Sequence, residues 1–345
     1  MIKALRFRRR IVLICAAAIA LVGVGGAAAA LTSHSSAKLT TITVGFSTQD
    51  VTLAPFWTAL DKGYFKKQGL DVKFVTFSGG SATAQAVAGG SVNIGVGALG
   101  DVVSGVNQGV PFKVVYGGFN MPIFSFWAAP GITSVAAGKG KRWGITRPGS
   151  STDFVTRFLL TQNGMNPNTD VTLIPDGGSV SSVIALAQSG QMDVVIDDPP
   201  DTGELKKIGW HKIASQSSLM GGYPFHVEYA MAPWLQNNVP TMRAFLRGLV
   251  QGINADLANP KLGQAEDVKN GGWQAADVAE DWNVWTKFLT ADGRLPSQDQ
   301  MNTFWQIAIA GGQFTAALPS SKYLDGQWIA TYPKWVTPKP VKKKK

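Results

Sequence analysis

The sequence contains the same order of strands and helices twice, and this duplication limits the possible folds more than any other feature. In the first half, an apolar strand is predicted over residues 42–46, and a helix begins near Pro55. In the second half, a strand over residues 142–145 is followed by a helix that begins near Ser151. The two halves therefore start with the same unit.

The repeated unit continues in both halves with a glycine-rich turn. Gly79-Gly80-Ser81 opens a helix that leads to a strand over residues 92–96, and Gly177-Gly178-Ser179 opens one that leads to residues 192–196. Short apolar strands that alternate with helices predict right-handed parallel crossover units. We therefore predict an α/β protein with two lobes, each an open, mostly parallel sheet flanked by helices, and not one long doubly wound sheet.

The region between and after the duplicated units indicates how the lobes connect. An extended apolar run over residues 123–129 is predicted to link them, and residues 225–230 are predicted to form a return strand. Helices are predicted over residues 239–259, 274–289 and 297–310, because their apolar residues recur with helical spacing. These helices are expected to pack on the first lobe.

The N-terminal segment has the pattern of an export signal. Five basic residues among the first ten precede an uncharged apolar stretch, and small residues follow at 25–30. We predict a cleavable signal peptide over residues 1–30, a linker over residues 31–40 and a periplasmic location. A membrane anchor over residues 11–31 is the alternative, since that stretch is long enough to cross a bilayer. Consecutive arginines leave open a twin-arginine signal.

The formal net charge of +10 is concentrated at the two ends of the chain. Removing the five cations of the N-terminal segment and the four terminal lysines leaves a formal charge of +1. Phosphate-backbone binding needs a basic face on the folded protein, so no nucleic-acid partner is predicted. Residues 337–345 are predicted to be a basic disordered tail.

The residues that carry chemistry do not indicate an enzyme or a cofactor. The only cysteine, Cys15, lies in the apolar N-terminal stretch, which excludes a disulfide framework, a thiolate zinc site and a cysteine nucleophile in the mature chain. His226 and Glu228 would share one face of the return strand, but no third ligand lies nearby, so no metal site is predicted. No spacing indicates paired acid–base groups.

Ligands of open α/β sheets bind beyond the carboxyl ends of the strands, and two such edges that face each other form a cleft. The candidate binding residues are those that follow the strands, together with one residue on the link between the lobes. They are Thr48, Gln49, Ser81, Ala98, Asn120, Ser150, Ser151, Thr152 and Asp198.

The charge of the ligand stays open on the residues alone. Residues 149–152 open a helix whose free N–H groups would attract an anion, although Ser150 or Ser151 could equally act as an ordinary N-cap. Asp197 and Asp198 would repel an anion and prefer an amine, amidine or hydroxyl, unless they only form a turn before Pro199.

Several segments resemble the nitrate-, sulfonate- and taurine-type ABC transporter substrate-binding proteins. The resemblance is carried by Ala54-Pro55 and by residues 63–72, where Gly63-Tyr64-Phe65 follows a helix and Leu70-Asp71-Val72 begins a strand. Residues 78–80, 90–94 and 148–152 are also similar, and the similarity extends over most of the chain after about residue 41.

The resemblance implies a type II periplasmic-binding fold with lobe I over residues 41–125 and 226–336 and lobe II over residues 126–225. It also implies a monomer that delivers a small solute to an ABC permease and ATPase. Ligand contacts in the family come from the loops named above, which here carry Thr48, Gln49, Ala98, Ser150, Ser151, Thr152 and Asp198.

The resemblance points to a small organic anion as the solute, either a sulfonate or a carboxylate, aromatic compounds included. Asp197-Asp198 puts a simple inorganic anion such as nitrate in doubt. The alternatives are a binding protein for pyrimidine or thiamine precursors, a related synthase, and a membrane-tethered sensor domain. The synthase needs a cysteine-rich segment, which this sequence lacks.

Overall fold

A computed structural model describes residues 38–198, 202–295, 297–325 and 327–328. The predicted signal peptide, most of the linker and the basic tail lie outside the described residues. Among the helices that are described, none combines the length and the apolar character needed to cross a membrane.

The described chain contains ten β-strands, which form two five-stranded sheets. The strands are β1 (Thr40–Phe46), β2 (Leu70–Thr76), β3 (Ile94–Gly97), β4 (Phe112–Phe119), β5 (Ser125–Ala128), β6 (Arg142–Ile145), β7 (Thr172–Pro175), β8 (Val194–Asp197), β9 (His211–Ser215) and β10 (His226–Met231).

Thirteen α-helices within the described residues flank the two sheets, and four short 3₁₀ turns lie in the connections between elements. The helices are α1 (Ala54–Asp61), α2 (Tyr64–Lys67), α3 (Gly80–Ala88), α4 (Leu99–Asn107), α5 (Ser151–Gln162), α6 (Val180–Gln188), α7 (Thr202–Lys207), α8 (Ala232–Asn237), α9 (Val239–Ala258), α10 (Pro260–Gly271), α11 (Ala275–Trp285), α12 (Gln298–Ala310) and α13 (Ser320–Tyr323).

The two sheets have equivalent strand orders, as the duplicated sequence pattern predicts. The first sheet runs β2-β1-β3-β10-β4 and the second β7-β6-β8-β5-β9. In the first sheet β1 pairs in parallel with β2 and β3, and β10 is antiparallel to β3 and β4. In the second sheet β6 pairs in parallel with β7 and β8, and β5 is antiparallel to β8 and β9. The predicted two-lobed α/β class is confirmed.

The connections between the sheets are residues 120–124, between β4 and β5, and residues 216–225, between β9 and β10. The lobe boundaries predicted after residues 125 and 225 fall beside these connections. The prediction that all of residues 123–129 link the lobes is wrong, because Ser125–Ala128 pairs with β8 and β9 inside the second sheet.

Long helix α9 packs against helices α1 and α2 of the first lobe through aromatic and close backbone contacts. The rings of Phe65 and Phe245 stack with their centroids 5.3 Å apart. An added Cβ at Gly252 would lie 2.1 Å from the carbonyl oxygen of Pro55, so α9 approaches α1 as closely as only glycine permits. The packing of α9 predicted on the first lobe is therefore present.

Helix α12 and the residues after it also reach lobe II, which the sequence did not indicate. Gln313 Nε2 donates to Asp153 Oδ2 at 3.2 Å, and the rings of Phe154 and Phe314 are 5.8 Å apart. The C-terminal part of lobe I thus packs against α5 of lobe II.

Candidate functional site

The crevice between the two sheets is lined by residues from both lobes. The empty space between its walls, its open mouth included, is about 530 Å³. Phe124 and Phe225 of the two connections line it. The other lining residues are Ser47, Thr48, Gly79, Gly80, Ala98 and Asp101 of lobe I and Thr146, Ser150, Ser151, Thr152, Asp176, Gly178, Val183, Ile196, Asp197 and Asp198 of lobe II.

Six of the nine residues that the sequence predicts as ligand contacts line this crevice. They come together because the ends of β1, β3, β6 and β8 face one another, as expected for open α/β sheets. The six are Thr48, Ala98, Ser150, Ser151, Thr152 and Asp198.

The other three predicted residues do not line the crevice. The Gln49 side chain turns towards β2, where its Oε1 accepts from Thr76 Oγ1 at 3.4 Å. Asn120 Nδ2 donates to the carbonyl oxygen of Arg294 at 2.9 Å, so the side chain is tied to the C-terminal part of lobe I. Ser81 lies one residue beyond the N-terminus of α3 and lines a neighbouring groove between the lobes.

The hydroxyl groups at the start of α5 bond mainly to one another and to nearby backbone. Ser150 Oγ accepts from the backbone N–H of Asp153 at 3.5 Å and lies 2.7 Å from Thr152 Oγ1. Thr152 Oγ1 also accepts from the backbone N–H of Thr146 at 2.9 Å. Ser150 is therefore an N-cap, the alternative that the sequence left open.

A carboxylate from the other lobe lies at the N-terminus of α5. Asp101 belongs to the first turn of α4, and its Oδ1 accepts from the backbone N–H of Ser151 at 3.1 Å. Burial leaves Asp101 only 4% exposed and raises its pKa to about 7, although the hydrogen bond from Ser151 opposes the rise. This contact joins the two lobes at the crevice.

Two hydroxyl groups lie beside this contact. The Ser151 hydroxyl is close to the Asp101 carboxylate and to the Tyr223 hydroxyl, but within the described residues it makes no well-formed hydrogen bond to either. Burial raises the pKa of Tyr223, so its hydroxyl keeps its proton. Tyr223 lies on the connection over residues 216–225, which places the connection against the contact between the lobes.

Further carboxylates line the crevice from lobe II. Asp176 Oδ1 accepts from the backbone N–H of Gly178 at 2.8 Å, and burial raises the pKa of Asp176 to about 6. Asp197 Oδ1 accepts from the backbone N–H of Asp198 at 3.0 Å. With Asp101, four carboxylates line the crevice, and no Lys, Arg or His is among its described lining residues.

The nearby cation Arg147 lies in the neighbouring groove. Its side chain is exposed, and its Nε donates to the carbonyl oxygen of Ser78 at 2.5 Å. Arg147 and Ser78 form a second contact between the lobes, next to that of Asp101.

The loop after β1 is fixed by a buried cluster around His226. Nε2 of His226 lies 3.3 Å from Asp50 Oδ2, and Nδ1 lies 2.9 Å from Thr52 Oγ1. No group of three or more potential metal ligands occurs in the part of the chain that the structure describes. The cluster holds the segment that carries Ser47 and Thr48 at the mouth of the crevice.

Sequence reasoning missed Asp101, Thr146, Phe124 and Phe225 as lining residues. An acidic residue in the first turn of a helix is common because it complements the helix dipole, so Asp101 carried no special signal. Its contact with Ser151 joins residues fifty positions apart and depends on how the lobes face each other.

Comparison with known proteins places this geometry in a family. The family model described as "NMT1/THI5 like" matches residues 50–262, which is more than half of the chain. YtlA of Bacillus subtilis (strain 168), named only provisionally as a binding protein, is 25% identical over 226 residues. That match covers 61% of this chain and spans 64% of YtlA.

Solved structures share the fold. The periplasmic nitrate-binding protein NrtA from Synechocystis PCC 6803 matches with a TM-score of 0.73 and 16% identity, over 86% of this chain and 89% of NrtA. The alkanesulfonate-binding protein SsuA from Xanthomonas axonopodis pv. citri, bound to MOPS, matches with a TM-score of 0.66 and 16% identity, over 80% of this chain and 95% of SsuA. The type II periplasmic-binding fold is thereby confirmed.

Proposed function

Because the chain belongs to the NMT1/THI5 like family, we propose that it is the extracytoplasmic solute-binding component of an ABC importer. The observation that carries the proposal is the crevice, whose walls are the carboxyl ends of strands from two equivalent sheets. The binding proteins NrtA and SsuA have the same fold, which supports the proposal.

Capture of the solute occurs by movement of the lobes about residues 120–124 and 216–225. A solute that bonds to both walls favours the closed state, because only that state satisfies both sets of contacts. The Asp101–Ser151 and Arg147–Ser78 contacts join the same two walls and help to hold them together. No covalent bond changes in this process, so the protein is a binder and not an enzyme.

The remaining parts of the proposal concern location and partners. The chain is exported by a signal peptide over residues 1–30 and acts in the periplasm as a monomer. Lobe I spans residues 41–125 and 226–336, and lobe II spans residues 126–225. The closed form delivers its solute to an ABC permease and ATPase.

Two classes of solute are compatible with the proposal. The first is a small organic anion, either a sulfonate or a carboxylate, aromatic compounds included. Binding of such an anion requires that the N-terminus of α5 be open to a ligand. The second is an uncharged or basic compound such as a pyrimidine or thiamine precursor. The carboxylate of Asp101 at the N-terminus of α5 favours the second class.

Thermal unfolding of the exported protein, with and without candidate solutes, tests the proposal. The panel contains alkanesulfonates, aromatic carboxylates, nitrate, pyrimidines and amines. Since a ligand stabilises by an amount that grows with its concentration over Kd, a true solute should raise Tm by several degrees and continue to raise it with concentration. Failure of every class to raise Tm would contradict the proposal.

A pair of serine variants tests the location of the site. Ser151→Ala removes a hydroxyl that lines the crevice without a well-formed hydrogen bond, and Ser189→Ala removes an exposed hydroxyl on lobe II. A lost hydrogen bond to the solute corresponds to about 1 kcal/mol, or roughly fivefold in Kd. Ser151→Ala should weaken binding by that factor while Ser189→Ala does not, and equal Kd values for both variants would place the solute elsewhere.

A further inference from the structure

We propose that Asp101 determines whether the solute is anionic, neutral or cationic. Its carboxylate occupies the N-terminus of α5 from the opposite lobe and excludes an anionic group there. It thereby selects a neutral or cationic solute that donates N–H or O–H groups. This inference rests on the proposed function, since it concerns the selectivity of the same crevice.

The N-terminal end of α5 is already occupied. The N-terminus of a helix carries a partial positive charge and free N–H groups that attract one anion. In α5 the backbone N–H of Ser151 already donates to Asp101 Oδ1 at 3.1 Å, and the Asp153 N–H donates to Ser150 Oγ. The place that a sulfonate or carboxylate would take is therefore filled by a group of the protein itself.

Close packing holds Asp101 in place. An added Cβ at Gly80 would lie 1.8 Å from Asp101 Oδ2, so the carboxylate fills space that only a glycine leaves open. On the other side, an added Cβ at Gly100 would lie 3.3 Å from Ser151 Oγ and 3.5 Å from the Tyr223 hydroxyl. An incoming anion would have to expel a carboxylate that is enclosed by both lobes and by the connection between them.

The remaining lining of the crevice contains acidic residues. Asp176, Asp197 and Asp198 line the crevice from lobe II, and the described lining contains no cation that could balance a bound anion. Arg147 lines the neighbouring groove, where its Nε is bonded to the carbonyl oxygen of Ser78. At pH 8, above the raised pKa values of Asp101 and Asp176, a negatively charged solute would therefore meet the charged carboxylates of these two residues, whereas a positively charged one would be attracted.

A buried hydroxyl beside Asp101 lacks a well-formed hydrogen bond. Ser151 is 6% exposed and lines the crevice, and its hydroxyl oxygen is buried with no well-formed hydrogen bond within the described residues. It lies beside the Asp101 carboxylate, so one donor-rich group could bond to both. This favours a solute with at least two N–H or O–H donors on neighbouring atoms, such as an amidine or a primary amide.

Three probes of nearly equal shape but different charge test the inference, namely benzoate, benzamide and benzamidinium. Their Kd values are measured by calorimetry for the exported wild type at pH 8. We expect benzamidinium or benzamide to bind at least tenfold more tightly than benzoate. A benzoate affinity equal to or higher than both would overturn the inference and leave the proposed function intact.

Two variants of Asp101 separate its charge from its volume. Asp101→Asn keeps the volume and should weaken benzamidinium at least tenfold without improving benzoate. Asp101→Ala empties the N-terminus of α5 and should improve benzoate at least tenfold. Asp256→Asn, which neutralises a buried aspartate of lobe I away from the crevice, is the matched control and should leave the order of the probes unchanged.

The outcomes distinguish the two levels of the proposal. If Asp101→Ala is not folded by circular dichroism, Asp101→Asn alone decides, because unchanged benzamidinium binding would refute the role of Asp101. If none of the three probes and no compound of the wider panel binds the wild type, whatever the charge of the compound, the proposed function itself fails. Binding of anions only would contradict the charge selection and support the proposed function.

Discussion

The buried carboxylate of Asp101 should make the stability of the protein depend on pH, and Asp101→Asn should remove part of that dependence. In the folded protein burial raises the pKa of Asp101 to about 7 from an ordinary value of 3.8. Between these two values the folded state keeps a proton that the unfolded chain has lost. The free energy of unfolding therefore falls as pH rises from about 4 to about 7 and becomes level above that window.

The magnitude follows from the size of the shift. At about 1.4 kcal/mol per pKa unit, a change from 3.8 to about 7 corresponds to about 4 kcal/mol across the whole window. Within the window the slope for one group is about −1.4 kcal/mol per pH unit. Asp176 and Asp256 add to the slope of the wild type, because burial raises their pKa values to about 6 and about 7.

The assay is urea denaturation at half-unit steps from pH 4.5 to pH 8, with the free energy of unfolding extrapolated to water. Asp101→Asn should unfold with a slope that is shallower by about 1.4 kcal/mol per pH unit below pH 7 and unchanged above it. Ser189→Ala, which removes an exposed hydroxyl and no titratable group, is the control and should keep the wild-type slope. An unaltered slope in Asp101→Asn would show that Asp101 is ionised throughout the window and would refute the reasoning.

The remaining predictions concern packing and processing. Gly80→Ala should displace the Asp101 carboxylate and lower the free energy of unfolding by about 1–3 kcal/mol, which is a typical cost of overpacking. The control is Gly221→Ala, whose added Cβ would meet no atom within 4 Å and which should therefore leave thermal unfolding unchanged. Equal melting of the two would contradict the contact. Gly252→Ala should lower the free energy of unfolding by a similar amount of about 1–3 kcal/mol, seen as a lower urea midpoint, because its added Cβ would meet the carbonyl oxygen of Pro55. An unchanged midpoint would argue against the close approach of α9 to α1. N-terminal sequencing of the exported protein should find a start within a residue or two of Leu31, while a start at Met1 would support the membrane-tethered alternative.

The sheets were predictable from sequence because each repeated unit has its own local signals. The apolar strands end at glycine-rich turns and Ser or Thr residues open the helices, so the order of elements follows from neighbouring residues. The sequence predicts the strand near residue 125 as part of the link between the lobes, because an apolar run has the same composition in a central strand and in a buried connection. Its pairing with β8 and β9 depends on contacts far apart in sequence.

The candidate site was predictable only in part, for the same physical reason. Residues that directly follow strands, such as Thr48 and Ser151, reach the crevice because the topology alone places them there. Gln49 is the next residue after Thr48, but its side chain accepts a hydrogen bond from Thr76 and so turns away from the crevice. The backbone topology does not determine the direction in which a side chain turns. The contact of Asp101 with α5 depends on the relative placement of two lobes, which no local pattern encodes.

The most direct test of the central claim is a distance between the lobes measured by pulsed electron resonance. The only cysteine, Cys15, lies in the predicted signal peptide, so the exported form can be labelled at Gln85→Cys on α3 and Ser181→Cys on α6, both exposed positions on opposite lobes. A saturating solute should shift the distances to a shorter and narrower distribution. Calorimetric saturation with no change in that distribution would contradict capture by closure of the crevice.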